Sequence, residues 1–216
     1  MSAPPSVPRN LRQRRPRDAQ ATRSRLVRAA LELFTGQGFR ATTTPEIAQR
    51  AGVAEATIYR HFPGKEALLN AACVEALVWG SALVRAEDPG RGADPRGVLA
   101  RVGRRLAEGA EKDPALVRML LRPPEATLHD ERTRRAIREF RVVLEQIVAA
   151  GKQVGRIRPG SAELWAAVWL ALAGFVAERV ASRDWGLEHP NVTQALEAAW
   201  EAIAYRIPES PVAVVT

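Results

Sequence analysis

The side chains in this chain best placed to do chemistry are polar and basic groups crowded into residues 43–62. That segment reads Thr-Thr-Pro-Glu-Ile-Ala-Gln-Arg-Ala-Gly-Val-Ala-Glu-Ala-Thr-Ile-Tyr-Arg-His-Phe. Hydroxyls, a phenol, an imidazole and guanidinium groups can bond phosphate oxygens and the edges of bases. Arg60 could read guanine bidentately or hold a phosphate. Glu55 could accept from cytosine or simply complement a helix N-terminus. Thr57, Tyr59 and His61, with the small Ala56, complete a face of the size and polarity that enters a major groove.

Enzymatic chemistry has far less to work with. The three histidines (61, 129 and 189) and the single Cys73 are scattered. No His-x-x-x-His, Cys-x-x-Cys, glycine-rich phosphate loop or Gly-x-Ser-x-Gly is present, so neither catalysis, a metal nor a cofactor is expected. One cysteine cannot make an internal disulfide, which fits a reducing compartment. Its neighbours Leu69, Ala72, Ala76 and Leu77 mark it as a small buried apolar residue.

Presenting the 43–62 face requires particular elements. Thr43 and Glu46 have the Thr-x-x-Glu spacing of a capping box, and Pro45 sits in a first helical turn. Ile47 and Ala51 share a face, and Gly52 can adopt the left-handed conformation that turns the chain. Val53 and Ile58 can pack inward. The result is a helix-turn-helix. Before it, Leu26, Ala29, Ala30, Leu33 and Phe34 predict an amphipathic helix over about 18–37. After it come helices opening at 64–66, at Asp94-Pro95 and at Asp113-Pro114, then about 128–154, 162–183 and 190–205. No alternating strand pattern or internal repeat appears, so the fold class is all-α.

Charge is unevenly spread. The chain is formally +8, and its first 25 residues hold seven arginines and one aspartate, a local +6. A basic arm on a nearly neutral body could bind phosphates or enter a minor groove. The N-terminus is proline-rich without an apolar run, and the longest uncharged stretch, 164–177, is shorter than the roughly 20 residues a bilayer requires. A cytoplasmic protein without a membrane partner is expected. The 162–183 helix shows Leu164, Val168, Leu172 and Phe175 on one face and Trp165 and Trp169 on another. The last helix shows Leu196, Trp200 and Ile203. Helices apolar on two sides need two neighbours, which predicts a homodimer joined through Leu164, Val168, Leu172, Leu196, Trp200 and Ile203.

Leu31-Glu32-Leu33-Phe34, Gly38-Phe39, Ala41-Thr42-Thr43, Ile47-Ala48, Ala51-Gly52-Val53, Thr57-Ile58-Tyr59, His61-Phe62 and Lys65-Glu66-Ala67-Leu68 together resemble the TetR (tetracycline-repressor-like) family of bacterial regulators. The resemblance covers about 24–72. It implies nine or ten helices, the first three binding double-stranded DNA and the rest binding a small effector and dimerising. It further implies a repressor released from an inverted-repeat operator by its effector. A ligand-independent DNA-binding or architectural protein is the alternative. By position, Thr43, Thr44 and Lys65 would touch phosphate, and Thr57, Tyr59 and His61 would lie in or beside the groove. Ala54 departs from the family's Ser or Thr and removes a side-chain cap. Ala56 stands where the family commonly has Gly or another small residue. The expected organisation is an arm (1–17, disordered), a DNA-binding domain (18–66), an effector and dimerisation domain (67–207) and a tail (208–216). Trp79, Met119, His129, Trp165, Trp169 and Phe175 are the candidate pocket residues, suited to a hydrophobic or aromatic effector.

Overall fold

A computed structural model describes residues 9–88, 90 and 92–205. Among these are nine α-helices and no strand: α1 (Arg9–Gly36), α2 (Thr44–Ala51), α3 (Glu55–His61), α4 (Lys65–Glu87), α5 (Pro95–Lys112), α6 (Pro114–Leu121), α7 (Glu131–Gln153), α8 (Ala162–Ala181) and α9 (Pro190–Glu201). A 3-10 turn, Ala126–Leu128, precedes α7.

Local chemistry explains most of the helix starts. Asp94, Asp113, Asp130 and Ser161 each accept a backbone N–H with their side chain at the head of α5, α6, α7 and α8. Each removes one orphan donor, an effect of about 1 kcal/mol. Prolines occupy the first turns of α2, α5, α6 and α9, where a missing N–H costs nothing.

α4 is the axis of the molecule. It packs on α1 near its start and against α5, α6 and α7 along its length. Leu68, Leu69, Ala72, Cys73, Ala76, Leu77 and Val84 are all buried, so it is apolar on most sides rather than along one stripe. By length and composition alone, α4 and α8 are both apolar enough to cross a membrane. In α4 that apolarity is taken up inside the bundle. α7 is an ordinary amphipathic helix, burying Ala136, Phe140, Val143, Leu144, Ile147 and Val148.

Three expectations are revised. The first helix begins at Arg9, not near 18, so residues 9–17 of the supposed disordered arm are helical. Arg, Leu and Gln propagate a helix well, although Pro16 leaves one carbonyl without its helical partner. Residues 1–8 of the arm and the 208–216 tail lie outside the described residues. The last helix stops at Glu201 rather than 205, because the chain then pairs with the α7–α8 connector. Arg158 N–H donates to Ile203 O at 3.0 Å and Tyr205 N–H to Arg156 O at 2.9 Å. The Arg158 guanidinium also donates to the Ala204 and Glu201 carbonyls, closing the helix end. Finally, Trp200 and Ile203 are buried within the single chain, and Leu196 lies against Gly103 of α5. These three therefore belong to the monomer's own packing, since α9 turns its apolar stripe onto α5 and α8.

Candidate nucleic-acid interface

The predicted capping box forms as drawn. Thr43 N–H and Oγ1 both donate to Glu46 Oε2, at 2.8 and 2.9 Å, and Glu46 N–H returns to Thr43 Oγ1. The bond from the Thr43 backbone, followed by that from its hydroxyl, holds the Glu46 carboxyl below the usual carboxylate range. Gly52 takes φ 66° and ψ 41°, the left-handed turn that α2 needs in order to hand over to α3. Ala54 precedes α3 without a side-chain hydrogen bond, as its methyl group dictates.

α3 divides cleanly into two faces. Ile58 is buried, and Thr57 is only 9% exposed. Thr57 thus corrects the outward placement: its hydroxyl instead accepts from Arg60 Nη2 at 3.2 Å. Glu55, Ala56, Tyr59 and Arg60 are exposed, and His61 is half-buried. Ala56, Tyr59 and Arg60 are spaced i, i+3, i+4, so they form one surface. Tyr59 is 56% exposed, unusual for so large a ring and available for contact.

The face is partly pre-positioned from α2. Thr44 Oγ1 donates to Glu55 Oε1 at 3.0 Å and lies 3.4 Å from the Tyr59 hydroxyl. No local pattern announces this triad, because Thr44 and Tyr59 are 15 residues apart. Lys65 is also placed differently from the phosphate contact the resemblance implies. Its Nζ donates to the carbonyls of Phe39 and Thr42, at 2.9 and 2.8 Å, and sits 4.4 Å from the Phe39 ring centroid. It pins the α1–α2 loop to the start of α4 through two of its three donors.

Sequence reasoning missed Asn70, the best-satisfied polar group in the core. Its Nδ2 donates to Glu66 O and Leu128 O at 2.8 and 2.9 Å. Its Oδ1 accepts from Asp130 N and Thr133 Oγ1 at 2.9 and 2.6 Å. All four valences are used, fastening α4 to the head of α7. Lone asparagines carry no pattern, so only the fold reveals it.

The predicted pocket residues do not converge. A cavity of about 530 Å³ lies between the end of α6, α7 and α8, and of the six candidates only Phe175 lines it. Trp169 and Met119 are fully buried core. Trp79 packs over Gly109, close enough that a Cβ there would meet its ring at 2.6 Å. Trp165 donates from Nε1 to Pro159 O at 3.1 Å. His129 is buried beside Asn70's partners, and its Nε2 has no hydrogen-bond partner. Trp79, Met119 and Trp169 fill space between helices, and Trp165 packs on the 158–160 loop.

A short capped helix, a glycine turn and a second helix with one exposed polar face define a helix-turn-helix DNA-binding protein. A family model described as bacterial regulatory proteins, tetR family, matches residues 26–72. The HTH-type transcriptional regulator TcmR of Streptomyces glaucescens is 34% identical over 196 residues, covering 87% of this chain and 83% of that one. The uncharacterized HTH-type regulator YvkB of Bacillus subtilis is 50% identical, over 50 residues only, which is 23% of this chain and 26% of its own length. Among solved structures, a TetR family regulator from Marinobacter aquaeolei VT8 superposes with TM-score 0.74 at 25% identity, covering 89% of this chain and all of that one. A TetR-like regulator from Rhodococcus sp. RHA1 gives 0.65 at 19% identity, over 91% of this chain and 98% of that one. The chain belongs to the TetR family of bacterial transcriptional regulators. It is a DNA-binding regulator, not an enzyme.

Proposed function

We propose that the protein is a cytoplasmic homodimeric repressor that binds an inverted-repeat operator and is released by a small apolar effector. The single observation that carries the DNA part is the Ala56–Tyr59–Arg60 surface on α3, exposed while Thr57 and Ile58 anchor the helix from behind. A domain boundary near 66 fits α1 to α3 forming one unit before α4 begins at Lys65, whereas α1 runs unbroken across residue 17. The dimer is supported by α8. Leu164 is 51%, Leu172 37% and Phe175 49% exposed, and with Ala167, Val168 and Ala171 they make one apolar stripe. So continuous a stripe on a water-facing helix is the mark of an interface. α9 would add its exposed Gln194, Glu197 and Ala198 beside it. Two α3 helices held by such a contact would enter grooves about 34–36 Å apart.

The test is selection of bound duplexes from a random library, followed by fluorescence anisotropy. Enriched sequences should be inverted repeats. Arg60→Ala and Tyr59→Ala should each weaken binding by roughly 10- to 100-fold, the 1–3 kcal/mol of a base contact. Binding equal to wild type by both variants would show that α3 does not read DNA. Sedimentation of Leu172→Glu should give a monomer if the α8 stripe is the dimer seam.

A further inference from the structure

We infer that the cavity between α6, α7 and α8 binds an apolar organic anion, with its charged group held by Arg122 and Arg141. This deepens the effector part of the proposed function and rests on it for its consequence, though not for the binding itself.

The cavity holds about 530 Å³, within the range of small-molecule sites. Its walls are apolar along the middle, lined by Leu144 of α7 and by Ala166, Leu170 and Ala171 of α8. Its charges are segregated. Arg122 follows α6, and its neighbour Leu121 lies against Gly174 near the C-terminal half of α8. α7 and α8 are consecutive, joined by residues 154–161, and pack together antiparallel. Arg141, in the first half of α7, therefore lies toward the same end. Glu163 in the first turn of α8 marks the other end, about 16 Å from Gly174 at 1.5 Å per residue. Glu145 lies one helical turn beyond Arg141 in that direction.

The carboxylates at the basic end are already committed. Glu178 accepts from Arg118 Nε at 3.1 Å and from Ser182 Oγ at 3.0 Å. Arg122 and Arg141 are both exposed, and among the described residues neither side chain makes a hydrogen bond or ion pair, although the Arg122 charge already acts on Glu178. Arg179, a third lining guanidinium, is bound to Asp184 at 2.9 Å, yet its Nε is buried without a partner. Two guanidinium groups without a hydrogen-bonded partner thus lie beside an apolar space. Glu145 and Glu163 at the far end repel an anion and fix which way it enters. A neutral hydrocarbon would leave all three guanidinium groups as they are. A cation would meet them directly.

The site also borders the proposed seam. Ala167, Ala171 and Phe175 line the cavity and belong to the exposed α8 stripe. A molecule filling the cavity would press on the helix that meets the second copy. Ligand binding would thereby favour one spacing of the two α3 helices, by no more than its differential affinity for the two forms.

Two probes with the same aromatic body separate charge from apolarity: 8-anilinonaphthalene-1-sulfonate and the uncharged N-phenyl-1-naphthylamine. Fluorescence titration of the full-length protein should show the sulfonate binding about tenfold more tightly, the expected size of one charged hydrogen bond. Arg122→Gln with Arg141→Gln should bring the two within about twofold, each single change giving part of the effect. Leu170→Trp, which fills the cavity without altering charge, should weaken both. Equal affinities in the wild type, or a preference that survives the double substitution, overturns the inference. Operator anisotropy with the sulfonate present distinguishes the two levels. Arginine-dependent binding that leaves operator affinity unchanged keeps the site and removes the effector reading.

Discussion

Replacing Asn70 by leucine should be among the most costly substitutions of similar volume in this protein. The side chain makes four hydrogen bonds between 2.6 and 2.9 Å, and both Asn70 and Thr133 are buried. Leucine fills the space but removes every bond. The Glu66 carbonyl keeps its helical partner. Leu128 O and Asp130 N–H do not, the Thr133 hydroxyl is left with only a long 3.4 Å contact to the residue-70 carbonyl, and each buried unsatisfied group costs about 1–3 kcal/mol. Allowing for the apolar area gained, the loss should be about 3–5 kcal/mol, a large part of the 5–15 kcal/mol typical of a folded domain. Thr133→Val removes one donor and leaves Asn70 Oδ1 its bond from Asp130, so it should cost about 1 kcal/mol. Together the two changes should cost less than their sum, because the threonine hydroxyl has already lost its main acceptor. Urea unfolding followed by circular dichroism, at fixed protomer concentration, measures all three. An Asn70→Leu variant within 1 kcal/mol of wild type, or strictly additive costs, would refute the reasoning. Water would then be satisfying the partners, and nothing polar would be fastening α4 to α7. Asn70→Asp gives a pH check. A buried carboxyl facing two carbonyls titrates above its unfolded value, so its penalty should grow as pH rises above about 4 and shrink below it.

Ala54→Ser should add the missing cap on α3 and raise unfolding free energy by about 1 kcal/mol; no gain in urea midpoint would mean that the serine cannot reach its amide. Gly109→Ala should destabilise by about 1–3 kcal/mol, because the new Cβ would sit 2.6–2.7 Å from the rigid Trp79 ring. A red-shifted, more exposed tryptophan emission should accompany the loss. Burial, with a smaller push from the Asp130 charge, raises the Cys73 thiol to about 12. The unfolded chain releases this proton near 9 while the native one retains it. Stability is therefore unaffected below pH 9 and falls as pH rises from 9 toward 12, by up to about 1.4 kcal/mol per unit. Cys73→Ala should remove that slope, and native wild type should resist thiol reagents at pH 8 until urea is added.

The DNA-binding half was legible in the sequence because its determinants are local. The capping box, the left-handed glycine and the buried Ile58 are each set by residues within a few positions of one another. Where contacts become long-range, the reading fails. Nothing in sequence brings Lys65, which the resemblance implies as a phosphate contact, to the Phe39 and Thr42 carbonyls, 26 and 23 residues away. The large aromatics looked like pocket walls because size and apolarity are equally the marks of core. Trp169 is inside and Trp79 half inside because helices meet at them, and helix meeting points are written in several segments at once. The cavity was missed for the complementary reason. Its walls are alanines, leucines and charged residues, which read as ordinary surface until α6, α7 and α8 are assembled.

α6 joins these two halves in a way that neither shows alone. It is eight residues long, about 12 Å, with Asp113 at its head and Arg122 just past its end. Asp113 caps α6 and also pairs with Arg28 of α1. Arg28 donates to Glu32 at 2.8 Å, and Glu32 accepts from Arg50 of α2, also at 2.8 Å. Burial raises the Glu32 carboxyl, but bonds from Arg50 and Arg28 outweigh it and keep its titration below the ordinary range. Every pair in this chain of charges is at least a quarter exposed on one side, so each is worth at most about 1 kcal/mol. Its significance is geometric rather than energetic. If a ligand displaced the α6 backbone at Arg122, so short a helix would carry the shift to Asp113, and through Arg28 and Glu32 toward α2. Asn70 holds α4 to α7 on the other side of the same bundle. Under the proposed function, a ligand among α6, α7 and α8 would act beside both connections, the charge chain that reaches α2 and the Asn70 bonds that fix α4.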